Sequence, residues 1–436
     1  MIGRSLLLFI CFSWLITPQG NLISETMEEA KILPSADGLD GKVFAGYQGW
    51  YRTPIDGSGL GWEHYESFDE IFMPGDCGID YWPDMSELDE DEKYPTTFYH
   101  ADGSTAHVFT SQNPKTIKRH FKWMEQHGID GVFLQRFAHD VLEGGHHQWE
   151  LLQPSNNKIV EYVQAGAKAH GRAYAIMYDL TSVRHGEMPM IMDDWRGLCD
   201  RLDFLKDRNY LHHRGKPLVA IWGVGFSDDR KYTLDEVATL IDFLKNDPVY
   251  GGCSVLLGVP TYWRTLDRDA TSDPKLHDLI RSADAVLPWT VGRFGGSQTA
   301  LERGESIVAK DQKWCDDNGV QYLPLIFPGF SWGNRYKHKD AKDAKHDLIP
   351  REGGLFLWSQ AIAAKRAGAN TLYVAMFDEM DEGTQIFKVT NDPPVGDSPF
   401  LSYEPFEADY YLELTGAIGR MLRGEIPDTE ELPELQ

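Results

Sequence analysis

The sequence predicts an α/β fold, a single (β/α)8 TIM barrel with long βα loops over residues 42–425. Three observations predict it. Eight apolar segments rich in Val, Ile and Leu alternate with amphipathic helical segments, the pattern of a parallel sheet buried on both faces. The 436 residues, 42% hydrophobic and 12% aromatic, suffice for one barrel with a large core. The last apolar run, residues 373–377, stops in an acidic turn carrying Asp378, Glu379, Asp381 and Glu382. That is how a barrel presents chemical groups at the C-terminal mouth of its strands.

In chain order, residues 1–20 read as a secretory signal: Arg4, an apolar run over 5–16, then Thr17-Pro18-Gln19-Gly20. The run is too short to span a membrane, so the mature chain is expected to be exported, secreted or periplasmic. Residues 21–41 are polar and irregular, a linker. The first strand is expected at 42–51, ending in aromatics. Residues 52–112 are loop-rich and include the acidic run 87–92, read as solvated surface because the spaced ligands of a calcium loop are missing.

Asn113-Pro114 starts a helix as N-cap and first-turn proline, with Ile117, Phe121 and Met124 on one face and Gly128 as its stop. Further strands are expected at 129–137, 172–181, 216–226, 253–264, 285–294, 320–332 and 371–377. Between them lie helices at 156–171, along the stripe of Trp195, Leu198, Leu202 and Leu205, and after the Thr233/Glu236 capping box. Others fall near 274–282, 299–318, 354–367 and 405–423, before a polar tail at 426–436.

A net charge of −25 repels phosphates, which excludes nucleic acid and anionic membranes as partners. It leaves a neutral ligand as the simpler expectation, unless basic residues cluster locally. There is no Walker A motif, and Gly223-x-Gly225 lacks the third glycine of a dinucleotide fingerprint, so no cofactor is expected. Cys77, Cys199, Cys253 and Cys315 are widely spaced and read as buried free thiols. His146-His147 and His212-His213 read as loop histidines, because adjacent side chains point apart; no metal site is expected.

Functional residues of a barrel lie just beyond the strand ends. Those positions hold Tyr47, Trp50 and Tyr51; Arg136, His139 and Asp140; Tyr178 and Asp179; then Tyr262, Trp263 and Arg264. Trp289, Arg293, Phe330, Trp332 and Asn334 follow. Aromatic faces interleaved with polar groups suit a sugar, so Tyr47, Trp50, Arg136, Tyr178, Trp263, Trp289 and Trp332 are the candidate contacts, with Asp378 and Gln385 from the last turn. Arg136 and Arg293 have a second reading as counter-charges to the acidic mouth, and Asp378 as an orienting or turn-capping group. Glu379 and Glu382, three residues apart, are the candidate catalytic pair, because mutual repulsion raises one carboxyl and retains a proton.

The segment Asp378-Glu379-Met380-Asp381-Glu382-Gly383-Thr384-Gln385-Ile386 resembles the E-x-x-E-G-T-x-I signature of glycoside hydrolase family 99, the endo-α-mannosidases and endo-α-mannanases, a family related to family 71. The aromatic first strand, GYQGWY, and the later I-D-G-V strand follow in the same order. The resemblance implies a retaining hydrolase without a glycosyl-enzyme and without a metal. Glu379 would take the proton of the sugar 2-hydroxyl, whose oxygen then closes a 1,2-anhydro ring. Glu382 would protonate the leaving oxygen and then activate water. The chain departs from the family at Asp378 and Met380, where Asn and Trp are usual, and at Phe387, where an acid is usual. Gln135-Arg136 stands where relatives often carry tryptophans. Two other readings stay open: a carbohydrate-binding barrel without turnover, and a different chemistry on the same fold.

Overall fold

The computed structural model describes residues 36–203, 206–337 and 345–435. The expected signal sequence and most of the 21–41 linker lie outside the described residues. The described chain belongs to one compact unit, residues 34–436.

Each sequence segment with an apolar run became a strand: β1 (Val43–Tyr47), β2 (Gly131–Phe137), β3 (Ala173–Asp179), β4 (Lys216–Trp222), β5 (Ser254–Pro260) and β6 (Ala285–Trp289). β7 comes in two short pieces, Gln321–Tyr322 and Leu325–Ile326, and β8 is Leu372–Val374. The expected 320–332 strand is cut because Pro324 has no N–H for the ladder. Its first piece pairs with β6 and its second with β8, and β8 pairs with β1. All eight are parallel neighbours in chain order, so the sheet closes into a (β/α)8 barrel.

Eight main helices cover it: α1 (Pro114–Gln126), α2 (Trp149–His170), α3 (Met188–Leu202), α4 (Leu234–Asn246), α5 (Lys275–Ser282), α6 (Ser297–Asn318), α7 (Leu355–Arg366) and α8 (Tyr410–Leu422). The caps act as read: Asn113 Oδ1 accepts from the Lys115 amide at 3.0 Å, and Thr233 and Glu236 close a reciprocal box. α2 begins seven residues earlier than its apolar stripe, carrying Pro154 within its first turns, and ends at Gly171 with φ 60°. α6 contains a widened π-helical turn, Gly304–Val308.

Three expectations need correction. The 52–112 segment holds an antiparallel hairpin, Tyr94–Tyr99 with Thr105–Val108. The 87–92 acidic run is only partly solvated: Glu92 is fully buried against Arg119, and Glu87 meets Lys388 at 2.5 Å. The tail is anchored, with Thr429 accepting from the Trp358 indole at 2.8 Å and Arg366 pairing with Glu430. The four cysteines are buried and free; burial pushes the Cys77, Cys199 and Cys253 thiols up to about 12, which leaves them inert at neutral pH.

Candidate active site

Beyond Val374 the chain keeps to the ladder for three more residues, with the Ala375 amide on Ile326 and the Phe377 amide on Gly46. It then folds back at once: Gly383 donates to Met380, Thr384 to Glu379, and Met376 to Thr384, all at 3.0–3.1 Å. Gly383 permits this return. Its φ is 65°, and a Cβ there would sit 2.7 Å from the Ser331 Cβ. The acidic turn is therefore locked between β8 and the loop after β7.

The four carboxylates are held differently. Asp378 is fully buried and takes the amides of Gln48 and Gly49 at 2.8 Å each, tying the turn to the end of β1. Glu379 accepts from Gln48 Nε2 at 2.8 Å and Thr384 Oγ1 at 2.6 Å. Asp381 is clasped by the Arg335 guanidinium, by His64 Nδ1 at 3.0 Å and by the Tyr51 hydroxyl at 3.2 Å. Glu382 is half-buried, and no described residue hydrogen-bonds its carboxylate.

Burial raises three of the four. Asp378 is pushed up to about 7, with the two amides pulling back. Burial, then the neighbouring Asp381, push Glu382 up to about 7 against the pull of Arg335. Glu379 lies well above the usual carboxylate range through burial and the charges of Glu382 and Asp381, opposed by Thr384 and Gln48. Asp381 is the exception: Arg335 and His64 hold it below its ordinary value despite burial. Two neighbouring glutamates, both raised by burial and nearby charge, form an acid/base inventory.

Strand register sorts the remaining candidates. Parallel neighbours that face each other share a side of the sheet, and the side alternates along each strand. Arg136 pairs with Tyr178 in register, and both point outward to Asp194 on α3, at 2.6 Å from Arg136 Nε and 2.7 Å from the Tyr178 hydroxyl. Tyr47 also points outward, hydrogen-bonded to His120 on α1 at 2.8 Å. Trp263 is fully buried against Trp314. Gln385 is buried beside Tyr403. These five candidates stand in packed layers and not on the mouth.

Trp50, Trp289 and Trp332 are only half-buried. Trp50 stacks on His64 with ring centres 3.6 Å apart, next to Asp381. Trp332 packs on Tyr336, which also meets the exposed Phe68; the Arg335 guanidinium lies over that Phe68 ring. Trp289 sits 5.2 Å from Trp222, in an edge-on pair over Gly258.

Sequence reasoning missed Gln48, His64, Arg335, Thr384 and Trp222. It also passed over Gln135, whose amide faces the barrel and donates to the Tyr373 hydroxyl at 2.9 Å. Alternation was the available signal: Gln135 and Trp222 share a side with Asp179, while Arg136 does not. Nothing in the local sequence marks His64 or Arg335, which reach Asp381 from distant loops. His212-His213 lies at the foot of β4, and the His146 and His147 rings sit 4.2 Å apart in the loop after β2. Among the described residues, no three His, Cys, Asp or Glu side chains converge as a metal cage.

No family model matches the chain. A glycoprotein endo-alpha-1,2-mannosidase-like protein of Danio rerio is 28% identical over 137 residues, 28% of this chain and 28% of that protein. The match thus spans little more than a quarter of that relative. The GH99 endo-alpha-mannosidase of Bacteroides thetaiotaomicron superposes with a TM-score of 0.63 at 16% identity, over 88% of this chain and 98% of the other. The fold is that of a GH99 endo-alpha-mannosidase. Its complex with bis-tris-propane gives a TM-score of 0.62 over 89% of this chain, again at 16% identity. In this GH99-like barrel the Asp378–Thr384 turn follows the eighth strand.

Proposed function

We propose that the protein is an exported glycoside hydrolase that cleaves a neutral α-linked glycan, of α-mannoside type, with Glu379 and Glu382 as its working pair. The observation that carries this reading is the pair itself: two carboxyls raised by burial and neighbouring charge, one well supplied with donors and the other with none among the described residues. Thr384 and Gln48 donate to Glu379 and so favour it as an acceptor once substrate enters. Glu379 then takes the proton of the sugar 2-hydroxyl, and that oxygen displaces the leaving group at the anomeric carbon to close a 1,2-anhydro ring. Glu382 gives its proton to the departing oxygen, then takes one from the water that opens the ring. Two inversions leave the product anomer as it began; Glu379 returns its proton to the 2-oxygen as the ring opens, and Glu382 regains from water the proton it gave to the leaving group.

The relatives support the sugar class: both are named for α-mannosidase action. Half-buried Trp50, Trp289 and Trp332, with Trp222, give ring faces on which a pyranose packs. Export rests on Arg4 and the apolar run over 5–16; among the described residues no helix is long and apolar enough to cross a membrane.

The test is hydrolysis of α-mannans, α-glucans and xylans by the parent, Glu379→Gln and Glu382→Gln, with the first-formed anomer followed by NMR. The reading expects α-mannan cleavage with retention and its loss in both variants. Unimpaired glycan binding with no turnover in the parent would favour a carbohydrate-binding barrel instead.

A further inference from the structure

Across the barrel from the acidic turn lies a second built site of opposite charge. The loop after β5 and helix α6, which follows β6, enclose a cleft of about 480 Å3 whose charged lining is Arg264, Arg268, Arg303 and Lys310 against Asp267 and Asp311. In a chain of net charge −25, local clustering of four cations is the condition under which an anionic ligand becomes acceptable.

The cations are not spent on one another's neighbours. Arg264 alone is paired, its Nε on Asp311 Oδ1 at 2.6 Å. Among the described residues, Arg268, Arg303 and Lys310 make no ion pair with a carboxylate; Arg268 lies over the Tyr262 ring at 4.0 Å and Arg303 over Phe294 at 4.3 Å. Both guanidiniums are oriented by an aromatic face while their N–H edges stay available. Arg303 is half-buried, and Asp311 lies near enough to feel its charge without pairing with it.

A second, independent observation concerns Asp311. It is 2% exposed, and its Oδ2, with the Tyr322 hydroxyl the nearest donor, is buried without a hydrogen bond of normal length and angle. A ligand that satisfies this site therefore offers an oxyanion to the arginines and a hydroxyl to Asp311.

The backbone around the cleft is set in place. Leu266 and Arg268 hold φ of 54° and 56°, a region that costs a residue with a side chain. Asp269 pins the loop by accepting from the amides of Thr261 and Tyr262 at 3.2 and 3.1 Å, and Arg293 braces Asp269 at 3.0 Å. On the opposite wall the π-helical turn Gly304–Val308 follows Arg303 directly, a deviation common where helices bind.

We propose that this cleft is a second ligand site, separate from the Glu379–Glu382 pair, that takes an anionic hydroxylated ligand of the sugar-phosphate class. The phosphate lies against Arg303, Arg268 and Lys310, and a ring hydroxyl donates to Asp311 Oδ2.

Calorimetric titration of the full chain with glucose 6-phosphate tests it, with inorganic phosphate and glucose as separate arms. Glucose 6-phosphate binds at least tenfold more tightly than either fragment, and added NaCl weakens it. Arg303→Gln, which keeps much of the packing on Phe294, lowers affinity at least tenfold; the exposed Lys310→Ala lowers it severalfold. Glu382→Gln leaves binding as in the parent. Unchanged affinity in both cleft variants overturns the site, as does glucose binding as well as its phosphate. Inorganic phosphate binding as tightly as the sugar phosphate overturns the part given to Asp311. Loss of binding in Glu382→Gln would move the ligand to the acidic turn and overturn the separation.

Discussion

Two arginine–aspartate pairs sit near the strand ends, each with a tyrosine hydroxyl on the aspartate, and they are built for opposite ends. Arg136, Asp194 and Tyr178 close between β2, β3 and α3, with Asn157 taking a further guanidinium N–H at 2.9 Å. One cation there meets one anion, so the cluster is close to neutral. Arg335, Asp381 and Tyr51 repeat the same chemistry in the acidic turn, but Asp378, Glu379 and Glu382 crowd around them. Arg335 is consumed by Asp381, and the other acids are left to hold protons. Charge balance, more than residue type, separates a cluster whose charges are paired from one whose carboxyls are raised.

Substitution at the two clusters is expected to have opposite effects. Glu379→Gln or Glu382→Gln removes a proton-transfer group and lowers kcat by about 10²–10⁴-fold, with the melting temperature kept or raised because a repelling carboxylate is gone. Steady-state kinetics on the glycan the parent cleaves, beside thermal melts, reads both. Arg136→Met does the reverse. It strands Asp194 and costs about 3–5 kcal/mol of stability, seen by urea unfolding, with kcat of the folded fraction unchanged. Arg136→Met with Asp194→Leu recovers most of that loss.

The barrel itself was legible because its signals are local: each strand and helix announced its period, and the caps at Asn113 and Thr233 and the stops at Gly128 and Gly171 are spelled in adjacent residues. The acidic turn after the last strand was legible for the same reason. The wall of the site was not. Tyr47, Arg136 and Tyr178 stand at strand ends as expected, yet one step along a strand reverses the face, and register, which needs two strands, decides it. Gln135 and Trp222 were hidden by the same ambiguity. His64 and Arg335 come from loops 317 and 46 residues from Asp381, a separation without local periodicity.

A subtler effect is expected at Asp381. Its charge helps raise both glutamates, so Asp381→Asn lowers the Glu382 carboxyl, all the more because Arg335 loses its own partner. The proposed mechanism needs Glu382 protonated, so it predicts that the high-pH limb of kcat/KM, expected near 7 in the parent, moves to lower pH. Stability follows the same sign. Asp378 and Glu382 have folded-state values above their unfolded ones, so the stability they add is full below about 4 and is lost as pH rises through about 7. Melting curves across pH 4–8 should flatten in Glu382→Gln.

The smallest expected effect falls on the aromatic wall. Trp222 and Trp289 carry no proton, so Trp289→Ala should raise KM by roughly three- to tenfold, about 0.5–1.5 kcal/mol of lost ring contact, and leave the pH profile in place. A shift of that profile would tie the wall to the acids and blur the distinction between binding and proton transfer.

The retained proton can be observed directly. Carboxyl 13C NMR titration of glutamate-labelled protein, with Glu382→Gln to assign the resonance, should find Glu382 titrating near 7. A Glu382 carboxyl titrating near 4.5, with the solvated glutamates, would contradict the account.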